Sequence, residues 1–194
     1  MVSENSIFER LKGKKVLVLG FGREGRSSFS FINNNIPVAE LAVADRNAAA
    51  LTDVPVTSFS GEHYLDALND YDVVIKTPGI SLKDIDVDIS KITSQTDLFL
   101  EAFHSQIIGV TGTKGKSTTS SLIHHLLKSS GRKSFLVGNI GVPDFEIMDK
   151  VTSDSIIVFE LSAHQLQFIH RSPHVGILLN IFEEHLDHFG TFAA

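Results

Sequence analysis

The sequence has 194 residues, 42% hydrophobic and 21% charged, with a formal net charge of −6 and no cysteine. That length holds one large or two small domains, each able to bury a core. The acidic balance argues against a general nucleic-acid binder, which needs a basic surface to meet phosphates; no apolar run approaches the ~18 residues of a membrane span; and disulfides and thiolate metal sites are excluded. The opening MVSENSIFERLKGKK lacks the apolar stretch of a secretory signal. Elimination leaves the cytoplasm as the expected compartment.

KVLVL at Lys15–Leu19 is a short apolar run ending at glycine and predicts a buried strand. A helix is expected over Glu24–Asn35, with Phe29 and Ile32 on one face and a stop in the Asn cluster before Pro37. Strands are expected at Leu41–Ala44, running into Asp45, and at Asp72–Ile75, running into the turn TPGIS. Strand, helix, strand with short links implies a parallel doubly wound sheet. A helix over Asp97–His104 leads to a strand at Gln106–Val110, where the pattern restarts. Next comes a helix from Ser117, with Leu122, Ile123, Leu126 and Leu127 as its apolar stripe and Gly131 as its stop. His124 and His125 flank that stripe and read as surface residues. Further strands are expected at Ser134–Val137, Ser155–Phe159 and Val175–Leu179. The expected fold is α/β: a Rossmann-like doubly wound domain over residues 1–104, then an incomplete P-loop ATPase-type domain over 105–194. No internal repeat is visible, and the second pattern breaks off at HFGTFAA, which suggests a piece of a longer protein.

Gly20, Gly22 and Gly25 fit G-x-G-x-x-G directly after a strand and before a helix, with Asp45 at the end of the next strand. Glycine lets the backbone approach a pyrophosphate, and the helix N-terminus faces it with partial positive charge. A tight turn without a ligand gives the same pattern. The spacing does not choose a nucleotide: NAD is one reading, and a UDP-linked substrate is another.

In GVTGTKGKST, Gly115-Lys116-Ser117 forms the tail of a phosphate loop. Lys116 would reach the β- and γ-phosphates of a nucleotide triphosphate, and the Ser117 hydroxyl would sit on Mg²⁺. The strict pattern wants glycine at Val110, and the glycines stand instead at Gly109 and Gly112. Glu160 closes an apolar strand, where a carboxylate needs a cation or hydrogen bonds to offset its desolvation. His185 follows another apolar strand, crowded by Glu183, Glu184, Asp187 and His188. A neutral imidazole there could ligate a divalent ion or be purely structural.

TGTKGKST resembles the T-G-T-x-G-K-[ST] loop of the Mur ligases, the ATP-dependent amide-forming enzymes of peptidoglycan synthesis. GNIG at Gly138–Gly141, FELSAHQL, LLNIFEEHLDHFGT and the turn TPGIS are similar to the branch of that family that adds D-glutamate. The likeness runs through essentially the whole chain in order. It implies ATP and Mg²⁺ as cofactors, with UDP-N-acetylmuramoyl-L-alanine and D-glutamate as partners, in a full-length enzyme that works as a monomer.

By that resemblance the first domain would bind UDP through Gly20, Gly22, Arg23, Glu24 and Gly25, with Asp45 and Arg46 near the uridine and Thr77, Pro78 and Gly79 in the second turn. Asn139, Ser162 and Gln165 would lie near the muramoyl group. Gly112, Thr113, Lys114, Gly115, Lys116, Ser117 and Thr118 would hold MgATP. Lys116, Glu160 and His185 would be the catalytic set, with Ser117, Glu160 and His185 around the metal. Ala163, His164 and Glu184 depart from the usual residues. The family also has a third domain and a carbamylated lysine downstream, so these residues alone are expected to bind the UDP substrate without completing the reaction. Rival readings are a nicotinamide-dependent oxidoreductase built on the first glycine turn, a non-catalytic module that keeps the ligase fold, and another Mur-type or folylpolyglutamate-type ligase.

Overall fold

A computed structural model of the chain describes residues 3–183. Strand β1 (Lys15–Leu19) is buried from Val16 onward, as its run of valine and leucine requires. It sits at the centre of a sheet with β2 (Glu40–Asp45), β3 (Thr57–Ser60), β4 (Val73–Lys76) and β5 (Ile92–Thr93), in the order β3-β2-β1-β4-β5. Every pairing is parallel, with Val18 in register with Val43 on one side and Ile75 on the other. Helices α1 (Ser3–Leu11), α2 (Arg23–Asn35) and α3 (Gln95–Phe103) belong to this half. The extended backbone of Ile36 ends α2, as the following Pro37 demands.

The second sheet contains β6 (Ile107–Thr111), β7 (Ser134–Gly138), β8 (Ile156–Glu160) and β9 (Val175–Leu178), all parallel, in the order β7-β8-β6-β9. Helix α4 (Lys116–Ser129) follows β6, and the short α5 (Ala163–Leu166) follows β8. A 3₁₀ segment at Asp144–Lys150 packs against α2 and α3. The expected α/β class is therefore observed: a doubly wound Rossmann-like sheet, then a phosphate-loop sheet.

Four elements escape the sequence reading: α1, the short polar strand β3, the two-residue β5 and the single-turn α5. Two expectations on α4 are overturned. Leu122 and Leu126 of α4 are 55% and 58% exposed and form no part of its packed face. The inward face instead carries buried Ser120 with half-buried Ile123 and Leu127. The small Ser120 lets α4 lie close to β7 and β8, and this sets the helix's rotation. His124 also differs from expectation. It is half-buried, its Nδ1 lies 2.9 Å from Ser134 Oγ, and burial lowers its pKa, helped by Lys128 and His125.

One apolar cluster joins both sheets. It runs from Ile7 and Leu11 of α1 through Val16, Val18 and Phe99 to Ile107, Val137 and Phe159. Phe99 meets Phe159 edge-on at 5.8 Å, and Phe31 of α2 meets Phe145 at 4.6 Å. Beside this cluster lies a polar knot on Asp97, which is 1% exposed. Its Oδ2 accepts from Thr93 Oγ1 at 2.8 Å and from Arg10 Nη1 at 3.2 Å, and Oδ1 accepts from the His170 N–H at 2.8 Å. That one carboxylate ties α1, β5 and α3 to the segment after α5.

Candidate functional site: two phosphate corners on a common wall

The first corner forms where β1 turns into α2. Gly20 has φ +92°, and its N–H donates to the Ala44 carbonyl at 2.7 Å. A Cβ on Gly25 would stand 1.9 Å from the Gly20 carbonyl oxygen, so glycine there lets the helix start pack against the strand end. Gly22 meets no such limit: a Cβ on it would find open space. We expect Gly25→Ala to lower stability by about 1–3 kcal/mol through overpacking; a thermal melt unchanged from the parent would contradict the tight contact. Gly22 caps α2 with its backbone only, so the N–H groups of the first turn face outward without intrahelical acceptors.

Two neighbours fix this corner. Asp45 Oδ2 accepts from the Phe21 N–H at 2.6 Å and Oδ1 from the Asn47 N–H at 2.8 Å, so this carboxylate braces the turn. Thr77 donates to the Leu19 carbonyl from both its N–H, at 2.9 Å, and its hydroxyl, at 3.1 Å, and so holds the second turn against β1. Pro78 is half-buried, while Arg46 and Gly79 are exposed.

The second corner joins β6 to α4. Gly112 (φ +134°) and Gly115 (φ +87°) both need the left-handed backbone that glycine tolerates. Lys116 Nζ folds over the loop, donating to the carbonyls of Gly112 at 2.7 Å and Thr113 at 2.9 Å. Lys114, Gly115, Ser117 and Thr118 are exposed at its mouth.

The sequence reading missed Asn180, which braces this loop. Its backbone carbonyl accepts from the Thr113 N–H at 3.0 Å, its Oδ1 from the Lys114 N–H at 2.9 Å, and its Nδ2 donates to the Lys114 carbonyl at 2.9 Å. Those two amides are thereby occupied. The N–H groups of Lys116 to Thr118, at the α4 start, have no intrahelical acceptor and stay open to an anion. The only signal in the sequence was an asparagine directly after an apolar strand.

Glu160 stands at the end of β8, in register with Val110, and is fully buried. Oε1 accepts from Asn139 Nδ2 at 2.9 Å, whereas Oε2 is buried and finds no partner among the described residues. An orphaned buried carboxylate oxygen suits a cation ligand, as the chemistry of a hard divalent ion requires. Among the described residues no group of three or more His, Asp or Glu side chains gathers around a metal-sized space. His185 and Glu184 lie outside the described residues.

Two cavities open from these corners. One of about 180 Å³ brings together six of the sequence-predicted residues: Arg23, Glu24, Pro78, Asn139, Ser162 and Gln165. The other, about 290 Å³, is lined by Gly112, Thr113 and Lys116, by Asn180, and by Leu166, Leu178 and Phe182 among others. Ser162 lines both. It caps α5 in a reciprocal box: its Oγ accepts from the Gln165 N–H, and Gln165 Oε1 accepts from the Ser162 N–H. Asp45 and Arg46 line neither cavity.

Two strand–glycine–helix corners, one carrying a phosphate-loop lysine, define an α/β protein of the phosphate-loop class. Residues 110–194 match the Mur ligase middle domain. It is 36% identical over 200 residues to the UDP-N-acetylmuramoylalanine--D-glutamate ligase of Ligilactobacillus salivarius, covering 95% of this chain and 43% of that protein. It is 37% identical over 205 residues to the UDP-N-acetylmuramoyl-L-alanine--L-glutamate ligase of Xanthomonas campestris pv. campestris, again covering 95% and 43%. In fold it is similar to the crystal structure of a UDP-N-acetylmuramate:L-alanyl-gamma-D-glutamyl-meso-diaminopimelate ligase from Neisseria meningitides. That likeness has TM-score 0.51 at 20% identity and covers 93% of this chain and 64% of that one. The chain thus spans less than half the length of the two curated relatives.

Proposed function

We propose that this chain is the substrate-binding and phosphate-loop portion of a cytoplasmic ligase that joins glutamate to UDP-N-acetylmuramoyl-L-alanine at the expense of ATP. The observation that carries the reading is the common wall: Ser162 borders both the cavity beside the first glycine turn and the cavity under Lys116. A sugar nucleotide seated at Gly20–Gly25 could extend its carboxylate past Asn139 and Gln165 towards a triphosphate held at the start of α4. That carboxylate would attack the γ-phosphorus to give an acyl phosphate and ADP. The glutamate amine would then attack the acyl carbon and release phosphate. Residues 1–104 would serve the sugar nucleotide, and the chain from residue 105 the ATP.

Charge on the transferring phosphoryl group would be met by Lys116 and by the helix N-terminus. Mg²⁺ is the cation for which the spare Glu160 oxygen and the Ser117 hydroxyl would serve, with His185 as a further ligand; when bound it would neutralise phosphate oxygens. D-Glutamate is the proposed acceptor, in line with the Ligilactobacillus relative. The equally similar Xanthomonas relative is named for L-glutamate, and that isomer is the second reading.

Isothermal titration of this chain with UDP-N-acetylmuramoyl-L-alanine, MgATP and NADH tests the proposal. The expected result is saturable binding of the first two, none of NADH, and no ligation when all substrates are supplied. Binding of NADH with no response to the UDP compound would replace the ligase by an oxidoreductase.

A further inference from the structure

The wall of the smaller cavity holds an uncompensated set of acceptors, of which the ligase reading uses only Glu24 and gives its carboxyl no chemistry. Glu24 stands in the first turn of α2, directly beside the Gly22 cap. Asp144 opens the 3₁₀ segment and is 2% exposed; Gln95 opens α3 and is 1% exposed. All three line the same cavity of about 180 Å³. Glu24 Oε1, Asp144 Oδ2 and Gln95 Oε1 are buried, and none finds a hydrogen-bond partner among the described residues. Gln95 is held by its amide, which donates to Ser28 Oγ at 2.9 Å. Three buried acceptors around one small space call for donors, which a shared proton, a bound water or a donating ligand can supply.

The groups facing Glu24 are few. Lys76 of β4 is 2% exposed, donates to the Thr77 carbonyl at 3.1 Å, and lies 5.2 Å from the Phe168 ring centroid. Asp144 faces it from the 3₁₀ segment and Gln95 from α3. Arg23 also lines the cavity, but its guanidinium donates to the Gly141 carbonyl at 2.8 Å. The Lys76 ammonium bears on Glu24, while the charge that bears on Asp144 is Glu24 itself.

We propose that Glu24 and Asp144 form a proton-holding pair, and that Glu24 takes up a proton to become a neutral donor when a diphosphate occupies the adjoining glycine turn. This rests on the reading of that turn as a sugar-nucleotide site. Glu24 is then a positioning and specificity residue: a carboxylate there would repel the ligand, and a carboxyl O–H can donate to it.

The ionisation behaviour agrees with the geometry. Burial pushes the Glu24 carboxyl up to about 7, against the opposing pull of Lys76. Burial, reinforced by Glu24, raises Asp144 well above the ordinary carboxylate range. An anion placed beside Glu24 raises its pKa further, because like charge disfavours the ionised form. Binding therefore consumes a proton near neutrality, and affinity declines as pH rises through the free protein's value.

Titration calorimetry of the chain with UDP-N-acetylmuramoyl-L-alanine, in buffers of different ionisation enthalpy, reads this uptake. The diphosphate diester does not itself titrate near neutral pH, so any proton taken up belongs to the protein. We expect uptake of about half a proton per ligand at pH 7 and an affinity loss approaching about ten-fold per pH unit above it, both lost in Glu24→Gln. In the free protein, carbon-13 spectra should show the Glu24 carboxyl titrating with a midpoint of about 7. Binding whose heat is independent of buffer and pH overturns the proton-holding pair and leaves the sugar-nucleotide site standing. Absence of binding at every pH overturns the sugar-nucleotide site and the proposal with it. A free-protein midpoint near the ordinary 4.5 overturns the pair on its own.

Discussion

Lys116→Ala is expected to weaken MgATP binding by roughly 100-fold and leave the affinity for the UDP substrate within about two-fold. The first figure follows from the loss of a charge-assisted hydrogen bond to phosphate, worth about 1.5–3 kcal/mol, together with relaxation of a loop whose Gly112 and Thr113 carbonyls the ammonium holds. In a full-length ligase the cost to turnover would be larger, on the order of 10²–10³-fold, because the lysine also meets charge that grows in the transition state. The second figure follows from placement: Lys116 lines only the larger cavity, on the far side of Ser162 from the first glycine turn. Paired titrations with each ligand decide the matter. Equal loss of both affinities would mean one nucleotide site instead of two.

Asp97→Ala is expected to lower the free energy of unfolding by about 3–5 kcal/mol, the cost of removing one partner from a buried ionic network. The substitution strands the buried Thr93 hydroxyl and the His170 N–H and leaves the Arg10 guanidinium with Glu101 alone. Asp97→Asn, which keeps the size and one acceptor oxygen, should cost less. Urea denaturation of the three proteins measures the difference. A loss below about 1 kcal/mol for the alanine variant would show that the knot contributes little.

The two glycine corners are readable in the sequence because each is written locally: an apolar strand, closely spaced glycines and a polar helix start. Both halves of the fold follow from them. What escapes is whatever the chain assembles at long range. Arg10, Asp97 and His170 carry no local mark, and only the folded backbone brings them together. Asn180 lies far along the chain from the loop it braces. Asp144 reads as an ordinary turn acid after Pro143, and only its burial beside Glu24 makes it unusual. The stripe on α4 fails for a different reason. Four apolar residues spaced for a helix face suggest packing, yet small Ser120 fixes which side meets the sheet, and Leu122 and Leu126 are turned outward.

The apolar cluster that passes from Ile7 and Leu11 through Phe99 to Phe159 has a bearing on how this chain melts. Neither sheet has a seam along which it could be peeled from the other without wetting shared aromatic rings. Heat should therefore dissolve both halves in a single calorimetric transition, with matching calorimetric and van't Hoff enthalpies. A nick near Phe103 should release no fragment that keeps its fold.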